Sequence, residues 1–270
     1  VYNGAGHLPE TLDSVLSQQD CDFEFIVVND GSTDATAKIL DEYARGDKRL
    51  RVIHQENAGL TRALIRGCAE ASGEFIARQD AGDISLPGRL KQQCDFLSSH
   101  GEAVMTGTAV EFMGPLHERL YIISKPLEQL DAGLRKLDME HLSGPPHHGA
   151  TMFRAEAYRK VGGYQASFIV GQDIDLWLRL AEVGTCLGTD EVLYQARLLV
   201  GSISSRRRDE QIRAGKLALA CAQRRRSGAN DQDLMDAYCP KIPQKTPVNR
   251  IEVARFNYFI ASCLNSHDRI

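Results

Sequence analysis

The chain lacks the features of a membrane-spanning or disulfide-stabilised protein. None of its 270 residues fall in an apolar run of about 20, the length that crosses a bilayer as a helix. No segment reads as a signal peptide, and no internal repeat or low-complexity tract is present. Its seven cysteines are widely spaced without a Cys-x-x-Cys pair, which is typical of free thiols in a reducing compartment. We therefore expect a globular, cytoplasmic protein.

Positive charge is scarce outside one stretch. The formal net charge is −4, yet residues 197–226 hold nine arginines and lysines against two acids, a balance of +7 that leaves −11 for the rest. An acidic remainder would repel nucleic acid, so we expect no such partner. The basic stretch is typical of a solvated helix face, or of a surface that contacts phosphates in a nucleotide diphosphate or an anionic lipid layer.

Short apolar runs alternate with helical spacing through the first hundred residues. Runs at 23–28, 50–53 and 74–79 are typical of buried strands, and apolar residues three and four apart between them predict helices. This order predicts an α/β fold with a mostly parallel central sheet flanked by helices. Residues 1–4 resemble the end of a strand running into a loop, so we expect the first strand to be missing from this sequence.

The second half divides the chain into two predicted parts. Helices are predicted over 87–99, 173–183 and 206–226, and strands over 103–108 and 150–153. A change to basic, helical sequence follows residue 205. We therefore expect a main domain over 1–205 and a basic helical extension over 206–270.

An acidic turn follows the apolar run that ends at Ala77. Asp80 and Asp83 lie in it, at the carboxyl end of a predicted strand, where open α/β sheets bind their ligands. Two carboxylates so spaced suit Mg²⁺ or Mn²⁺ held together with substrate phosphates. A cap on the helix that follows Pro87 would explain Asp83, but it would not explain Asp80 as well.

Other polar residues follow predicted strands or precede helices. Asp30 ends a strand, where its carboxylate accepts a hydrogen bond from a pyrimidine ring N–H or simply belongs to a turn. Asn57 lies in a loop whose amides could face a ligand. Arg62, in the first turn of a helix, opposes the helix dipole, so its partner is a diphosphate, an aspartate or solvent. His148 and the histidine before it point to opposite faces of an extended chain, so one of the two can face a cleft.

The helix predicted from Asp173 opens with acids. Asp173 is either a first-turn acid that complements the helix dipole or, beside the other acids, a general base. Trp177 lies four residues on and shares its face. Asp175 has a simpler explanation, because Arg179 lies four residues further and completes an ion pair.

Taken in order, these segments resemble the inverting glycosyltransferases of GT-A family 2. The resemblance covers the chain to about Arg179 and continues loosely to Ser205. Its segments are Val1–Gly4, Val28–Asp34, Asn57–Leu60, Arg78–Ser85, His148–Arg154, Gly162–Tyr164 and Gln172–Trp177. It implies a GT-A fold, a nucleotide-sugar donor and a single displacement at the anomeric carbon.

The resemblance also implies roles for individual residues. Asp173 would be the catalytic base, and Asp80 and Asp83 would hold the divalent cation. The residues that would border or bind the nucleotide sugar are Tyr2, Asn3, Asp30, Asn57, Arg62 and Asp80. The residues on the acceptor and donor sides would be His148, Gln172 and Trp177.

Two positions depart from the family pattern. The usual family pattern is Asp-Ala-Asp-Asp, and Gly82 stands at the position whose carboxylate is most often assigned to the metal. Either Asp83 takes over the role of metal ligand or the metal binds more weakly. Gln172 stands where the acid beside the base is usual, which should reduce charge coupling to Asp173. These departures motivate an alternative, a nucleotide-sugar-binding protein without transferase activity.

The expected function is therefore sugar transfer from a UDP-sugar to an acceptor hydroxyl, with inversion and with Mg²⁺ or Mn²⁺ as cofactor. The resemblance implies a glycan or lipid-linked acceptor, as in bacterial polysaccharide assembly, and the basic stretch 197–226 fits peripheral contact with the inner membrane face. A dinucleotide-dependent oxidoreductase is disfavoured, because the segment 4–9 lacks the third glycine of Gly-x-Gly-x-x-Gly. A glycoside hydrolase is disfavoured because the βαβ order with an acidic turn argues against it.

Overall fold

The computed structural model describes residues 1–125, 127–200, 207–240 and 248–267. The strands in this part of the chain are β1 (Phe25–Asp30), β2 (Leu50–Gln55), β3 (Phe75–Ala77), β4 (Ile84–Ser85), β5 (Ala103–Met113), β6 (Arg119–Ile123), β7 (Thr151–Arg154) and β8 (Thr185–Arg197). The helices are α1 (Leu8–Leu16), α2 (Thr36–Gly46), α3 (Leu60–Ala69), α4 (Arg89–Ser99), α5 (Leu127–Arg135), α6 (Ala155–Lys160), α7 (Gln172–Leu180), α8 (Arg208–Arg226), α9 (Gln232–Ala237) and α10 (Arg250–His267). A 3₁₀ turn, His148–Ala150, precedes β7.

The described strands form two sheets. β1 and β2 pair in parallel, with Phe25 opposite Leu50 and Asp30 opposite Gln55. The other strands form a second sheet in the order β3-β7-β5-β8-β4, with β6 paired to the far half of β5. The predicted α/β fold, with sheets flanked by helices, is confirmed.

The strand pairing combines parallel and antiparallel ladders, and the two longest ladders among the described strands are parallel. Two pairs, β1–β2 and β5–β8, are parallel, and four are antiparallel. The repeated strand–helix order that favours parallel pairing holds for β1, α2 and β2, but later strands connect differently. β5 continues into β6 through the short turn 114–118, a connection that permits only antiparallel pairing. The sheet is therefore mixed.

The largest buried cluster joins the second sheet to α7 and α8. Phe153 of β7 and Trp177 of α7 lie within it. α8 adds Ala214, Ala218 and Ala222, small residues at helical spacing whose side chains allow close approach of the helix. The first helix of the predicted extension 206–270 thus packs into the same core as the predicted main domain, and the boundary at residue 205 stays a prediction.

A second buried cluster positions α1 beside the first sheet. Leu8 and Leu12, four residues apart on one face of α1, are buried against Val27 of β1 and Leu50 of β2. Fully burying such side chains contributes about 1.5–3 kcal/mol each. A polar edge of α1 beside this face, with Thr11 and Ser14, contacts residues 82–85 in and after the acidic turn. No helix in the described ranges has the length and apolar content to cross a membrane.

Candidate active site

A cavity of about 1660 Å³ opens at the carboxyl ends of β1 and β3 and reaches the first turn of α7. The side chains of β1 and β3, the edge strands of the two sheets, line its walls. All the residues singled out from the sequence line it: Tyr2, Asn3, Asp30, Asn57, Arg62, Asp80, Asp83, His148, Gln172, Asp173 and Trp177. Acids that are far apart in the sequence therefore surround one space.

Asp30 is buried at the end of β1 and organises the loop after β2. Its Oδ1 accepts hydrogen bonds from Gln55 Nε2 at 2.7 Å and Ala58 N at 2.8 Å, and its Oδ2 accepts one from Gly59 N at 2.9 Å. Asn57 Nδ2 donates to the Asp30 backbone oxygen at 2.8 Å. Because a carboxylate oxygen has two lone pairs, Oδ2 keeps one acceptor position for a ligand. The turn role and the ligand role left open by the sequence are therefore compatible.

The loop after β1 is tied to the start of the chain. Asn3 Oδ1 accepts from Thr33 N at 2.8 Å, and Asn3 N donates to Ser32 Oγ at 2.9 Å. Asn3 has a positive φ of 49°, a conformation that asparagine tolerates better than most residues. Tyr2 and Arg62 are exposed at the rim of the cavity. This rim offers an aromatic ring and a cation beside Asp30.

Asp80, Asp83 and His147 converge within the cavity. Their potential ligand atoms all lie within 4.8 Å of one another. His147 Nδ1 lies 3.9 Å from Asp80 Oδ2 and 3.7 Å from Asp83 Oδ2. Arg78 forms an ion pair with Asp80. Two carboxylates and one imidazole are a donor set that divalent cations such as Mn²⁺ accept.

The two carboxyl groups have opposite pKa shifts. Burial raises the pKa of Asp83, and the adjacent charge of Asp80 raises it further against the opposing effect of His147. Burial also disfavours the charged form of Asp80, but the positive charge of Arg78 and a smaller contribution from His147 outweigh it and lower the pKa of Asp80 to about 2. Asp80 is therefore ionised at neutral pH, whereas a bound cation would favour ionisation of Asp83.

α1 and β8 hold the acidic turn. Thr11 Oγ1 accepts from Gly82 N and donates to the Asp83 backbone oxygen, both at 2.9 Å. Arg197 donates its backbone N–H to Asp83 Oδ1 at 2.9 Å and its side chain to the Gly82 oxygen at 3.1 Å. The N-cap of α4 is Gly88, so the alternative role of Asp83 as a helix cap is wrong. Gly82 has a φ of 104°, which favours glycine over a residue with a side chain.

The first turn of α7 forms another wall of the cavity. Asp173 Oδ1 accepts from Ile174 N at 2.9 Å. Burial raises the pKa of Asp173, and the negative charge of Asp80 raises it as well. Gln172 Oε1 and Trp177 Nε1 are buried without a hydrogen-bond partner among the described residues. This wall thus combines an acid of raised pKa with polar atoms that remain unsatisfied.

The predicted ion pair between Asp175 and Arg179 is confirmed and anchors α7. Both side chains are buried. Arg179 Nη1 also donates to the backbone oxygens of Val161 at 2.8 Å and Gly163 at 2.6 Å. The pair therefore links α7 to the glycine turn after α6 and holds the helix that carries Asp173.

Of the two adjacent histidines, His147 faces the acids. His148 is buried, and its Nε2 lies 2.7 Å from the Tyr164 hydroxyl. Burial, followed by the charge of Arg78, lowers the pKa of His148 to about 3, so its ring is neutral. The sequence indicated that one of the pair could face a cleft, but it offered no sign that it is His147.

The fold is similar to that of two solved proteins. The match to TarS of S. aureus, residues 1–349, has a TM-score of 0.62 at 18% identity and covers 82% of this chain and 63% of that one. The match to the mannosyltransferase PcManGT from Pyrobaculum calidifontis, solved with GDP-Man and Mn²⁺, has a TM-score of 0.62 at 18% identity and covers 100% of this chain and 73% of that one. These similarities confirm the expected GT-A fold.

Sequence comparison identifies the family. The model of Glycosyl transferase family 2 matches residues 1–162. EpsE of Bacillus subtilis (strain 168), named as a glycosyltransferase, is 34% identical over 203 residues, which are 73% of this chain and 70% of EpsE. TuaG of the same strain, named as a teichuronic acid biosynthesis glycosyltransferase, is 27% identical over 206 residues, which are 76% of this chain and 79% of TuaG. The chain therefore belongs to glycosyl transferase family 2.

Proposed function

We propose that the chain transfers a sugar from a UDP-sugar to an acceptor hydroxyl, with inversion at the anomeric carbon. The observation that carries this proposal is the convergence of Asp30, Asp80 and Asp173 on one cavity in a family 2 chain. TarS has been solved in complex with UDP and with UDP-GlcNAc. A nucleotide-sugar donor is therefore a ligand that this fold accommodates.

The donor would lie between the β1 loop and the acidic turn. Asp30 Oδ2 retains an acceptor position for the ring N–H of uracil. Tyr2 and Asn3 would border the nucleoside, and Asn57 and Arg62 would lie on its other side. Asp80, charged and held by Arg78, would approach the ribose.

Asp173 is the proposed general base. An acceptor hydroxyl is a weak nucleophile until a base removes its proton during attack. Asp173 lines the same cavity as the acidic turn, and burial raises its pKa, which strengthens it as a base. Gln172 and Trp177 beside it would contact the acceptor or the donor sugar, with His148 packed behind them.

The residues present fit a divalent cation. Asp80 and Asp83 offer carboxylate oxygens and His147 an imidazole nitrogen within one cluster, and Asp83 supplies the carboxylate that Gly82 lacks. Mg²⁺ or Mn²⁺ bound there would act as a Lewis acid toward the diphosphate leaving group. The chain itself contributes a pre-formed cluster, so the ligands need little rearrangement on binding.

Positive charge near the diphosphate would come from the start of α8. Arg207 lines the cavity. Arg197, which also lies in the basic stretch, is instead engaged with the Gly82 oxygen and paired with Glu10. Arg197 therefore supports the acidic turn, and Arg207 is the better candidate to face a phosphate.

The acceptor is proposed to be a glycan or a lipid-linked glycan, and the enzyme to act at the cytoplasmic face of the membrane. The exposed cations Arg208 and Lys216 on α8 support a contact with anionic lipid. Arg225, by contrast, is occupied by Glu182 and Asp231. Sedimentation with vesicles of phosphatidylglycerol tests this contact, and binding equal to that of neutral vesicles would contradict it.

The alternative is a protein that binds a nucleotide sugar without turning it over, and the experiment must distinguish this alternative from the transferase. The protein is incubated with a panel of UDP- and GDP-sugars, with and without Mn²⁺, and released nucleotide and binding are both measured. Turnover of a UDP-sugar supports the transferase. Binding without turnover, with every acceptor class supplied, would favour the alternative. The presence of His147 in the cluster supports the transferase, because its imidazole nitrogen adds a metal-ligand atom to a turn in which Gly82 offers none.

A further inference from the structure

Tyr194 lies beneath the acidic turn and contacts both of its acids. It belongs to β8 and is 0% exposed. Its hydroxyl accepts a hydrogen bond from Asp80 N at 3.1 Å and donates one to Asp83 Oδ2 at 2.9 Å. One oxygen atom therefore links the backbone that carries Asp80 to the carboxylate of Asp83.

The ring of Tyr194 is itself held from several directions. The buried Arg89 guanidinium lies 4.7 Å from its centroid and donates to the backbone oxygens of Arg78 and Gly149, both at 2.7 Å. The His147 ring is stacked against it at 5.6 Å, with an interplanar angle of 26°. Gly149 packs so closely on the hydroxyl that an added methyl group would overlap it. Glycine at position 149 therefore leaves the space that the hydroxyl occupies.

From these contacts we propose that Tyr194 is a positioning residue for the divalent-cation cluster. It acts through the residues of that cluster. Its hydroxyl orients Asp83 and fixes the backbone at Asp80, and its ring supports His147. This inference rests on the proposed function, because it presupposes the cation site. It also explains how Asp83 serves in a turn where position 82 lacks a carboxylate: the oxygens of Asp83 are directed from below by Tyr194 and by Arg197 N.

The test is the isosteric variant Tyr194→Phe, which removes only the hydroxyl. Mn²⁺ is titrated into the protein in the presence of UDP, and free Mn²⁺ is followed by electron paramagnetic resonance. Loss of a residue that orients a metal ligand typically lowers metal affinity by about 10–100-fold, so we expect Mn²⁺ to bind at least about 10-fold more weakly to this variant. UDP binding without metal should change less than about twofold, because the hydroxyl contacts only the acidic turn.

Tyr158→Phe is the matched control. Tyr158 is also buried, and its hydroxyl accepts a backbone hydrogen bond, from Tyr164 N at 3.1 Å. The two variants lose the same kind of contact, but Tyr158 does not touch the acidic turn in the described structure. We expect the Mn²⁺ affinity of Tyr158→Phe to be close to that of the wild type, even if the unfolding temperature falls by a similar amount in Tyr158→Phe and Tyr194→Phe.

Gly149→Ala provides a second route if Tyr194→Phe does not fold. The new methyl group displaces the Tyr194 hydroxyl while every polar group is retained, so Mn²⁺ binding should again weaken. Wild-type Mn²⁺ affinity in both variants would overturn the role of Tyr194 and leave the cation site intact. No Mn²⁺ binding by the wild type would instead overturn the proposed cation site itself, so the two failures are distinguishable.

Discussion

The two walls of the cavity differ in how completely their polar groups are satisfied. The acidic turn is held from α1, β8 and α4, and each oxygen of the Asp83 carboxylate already accepts a hydrogen bond. On the wall formed by α7, Gln172 Oε1 and Trp177 Nε1 are buried without a partner among the described residues, and Asp173 accepts only local backbone hydrogen bonds in those ranges. One wall is pre-formed, and the other leaves hydrogen-bonding capacity unused.

This difference suggests a division of labour. A cation and a diphosphate need several ligands held in advance, because rearrangement of charged groups during the reaction is costly. An acceptor hydroxyl needs one base and a few polar contacts that become satisfied when the acceptor arrives. Unsatisfied buried groups cost about 1–3 kcal/mol each, which acceptor binding would recover.

The largest expected effect comes from removing the proposed base, Asp173, on the unsatisfied wall. Asp173→Asn should lower kcat by about 10³-fold, within the range for loss of a general base, while UDP affinity stays nearly unchanged. Initial rates with a UDP-sugar and calorimetry with UDP measure the two quantities. Asp95→Asn, which alters an exposed acid on α4, is the control and should retain the wild-type rate. Normal turnover by Asp173→Asn would refute the assignment.

Removing the cation should act on the other wall with a smaller effect. Excess EDTA is expected to lower the rate by about 100-fold, because a Lewis acid contributes several kcal/mol of transition-state stabilisation. Adding Mn²⁺ in excess should restore it, and Asp83→Asn should need more Mn²⁺ for the same rate. Full activity in EDTA would show that Gly82 marks a metal-independent site.

The pH dependence should report the raised pKa of Asp173. Burial disfavours its charged form, so the protonated and inactive form persists above the ordinary value of 3.8. The rate at saturating Mn²⁺ should therefore fall about tenfold per pH unit on an acid limb centred above that value. Gln172→Glu adds a negative charge beside the base and should move this limb to higher pH. An acid limb at or below the ordinary value in the wild type would contradict the burial of Asp173.

The smallest effect on the rate is expected from Asp175, on the same helix as Asp173. Asp175→Asn leaves Arg179 buried without its counter-charge, which should lower the free energy of unfolding by about 3–5 kcal/mol. The rate per folded molecule should change only a few-fold. Chemical denaturation measures the free energy of unfolding, and rates measured below the denaturant concentration at which the protein unfolds show whether catalysis itself is lost. An unchanged free energy of unfolding would show that the pair is not structurally important.

The sequence predicted the pre-formed wall only in part. Asp30 and Asp80 could be predicted because each lies at the carboxyl end of a strand, where open α/β folds bind their ligands. Tyr194 could not, because its partner Asp83 is 111 residues away and nothing local to β8 indicates that contact. The antiparallel pairs could not be predicted, because apolar runs indicate strands without indicating their direction. His147 was missed because a pair of adjacent histidines carries no local signal of which one faces the cavity.

Proton NMR of the sugar product tests the central claim most directly. Wild-type protein is given a UDP-sugar of known anomeric configuration, Mn²⁺ and an acceptor, and the anomeric coupling constant of the new linkage is read before and after the change Asp173→Asn. A single displacement assisted by Asp173 predicts the opposite anomer from the wild type and product formation about 10³-fold slower in the variant. A product that keeps the donor's configuration would contradict it.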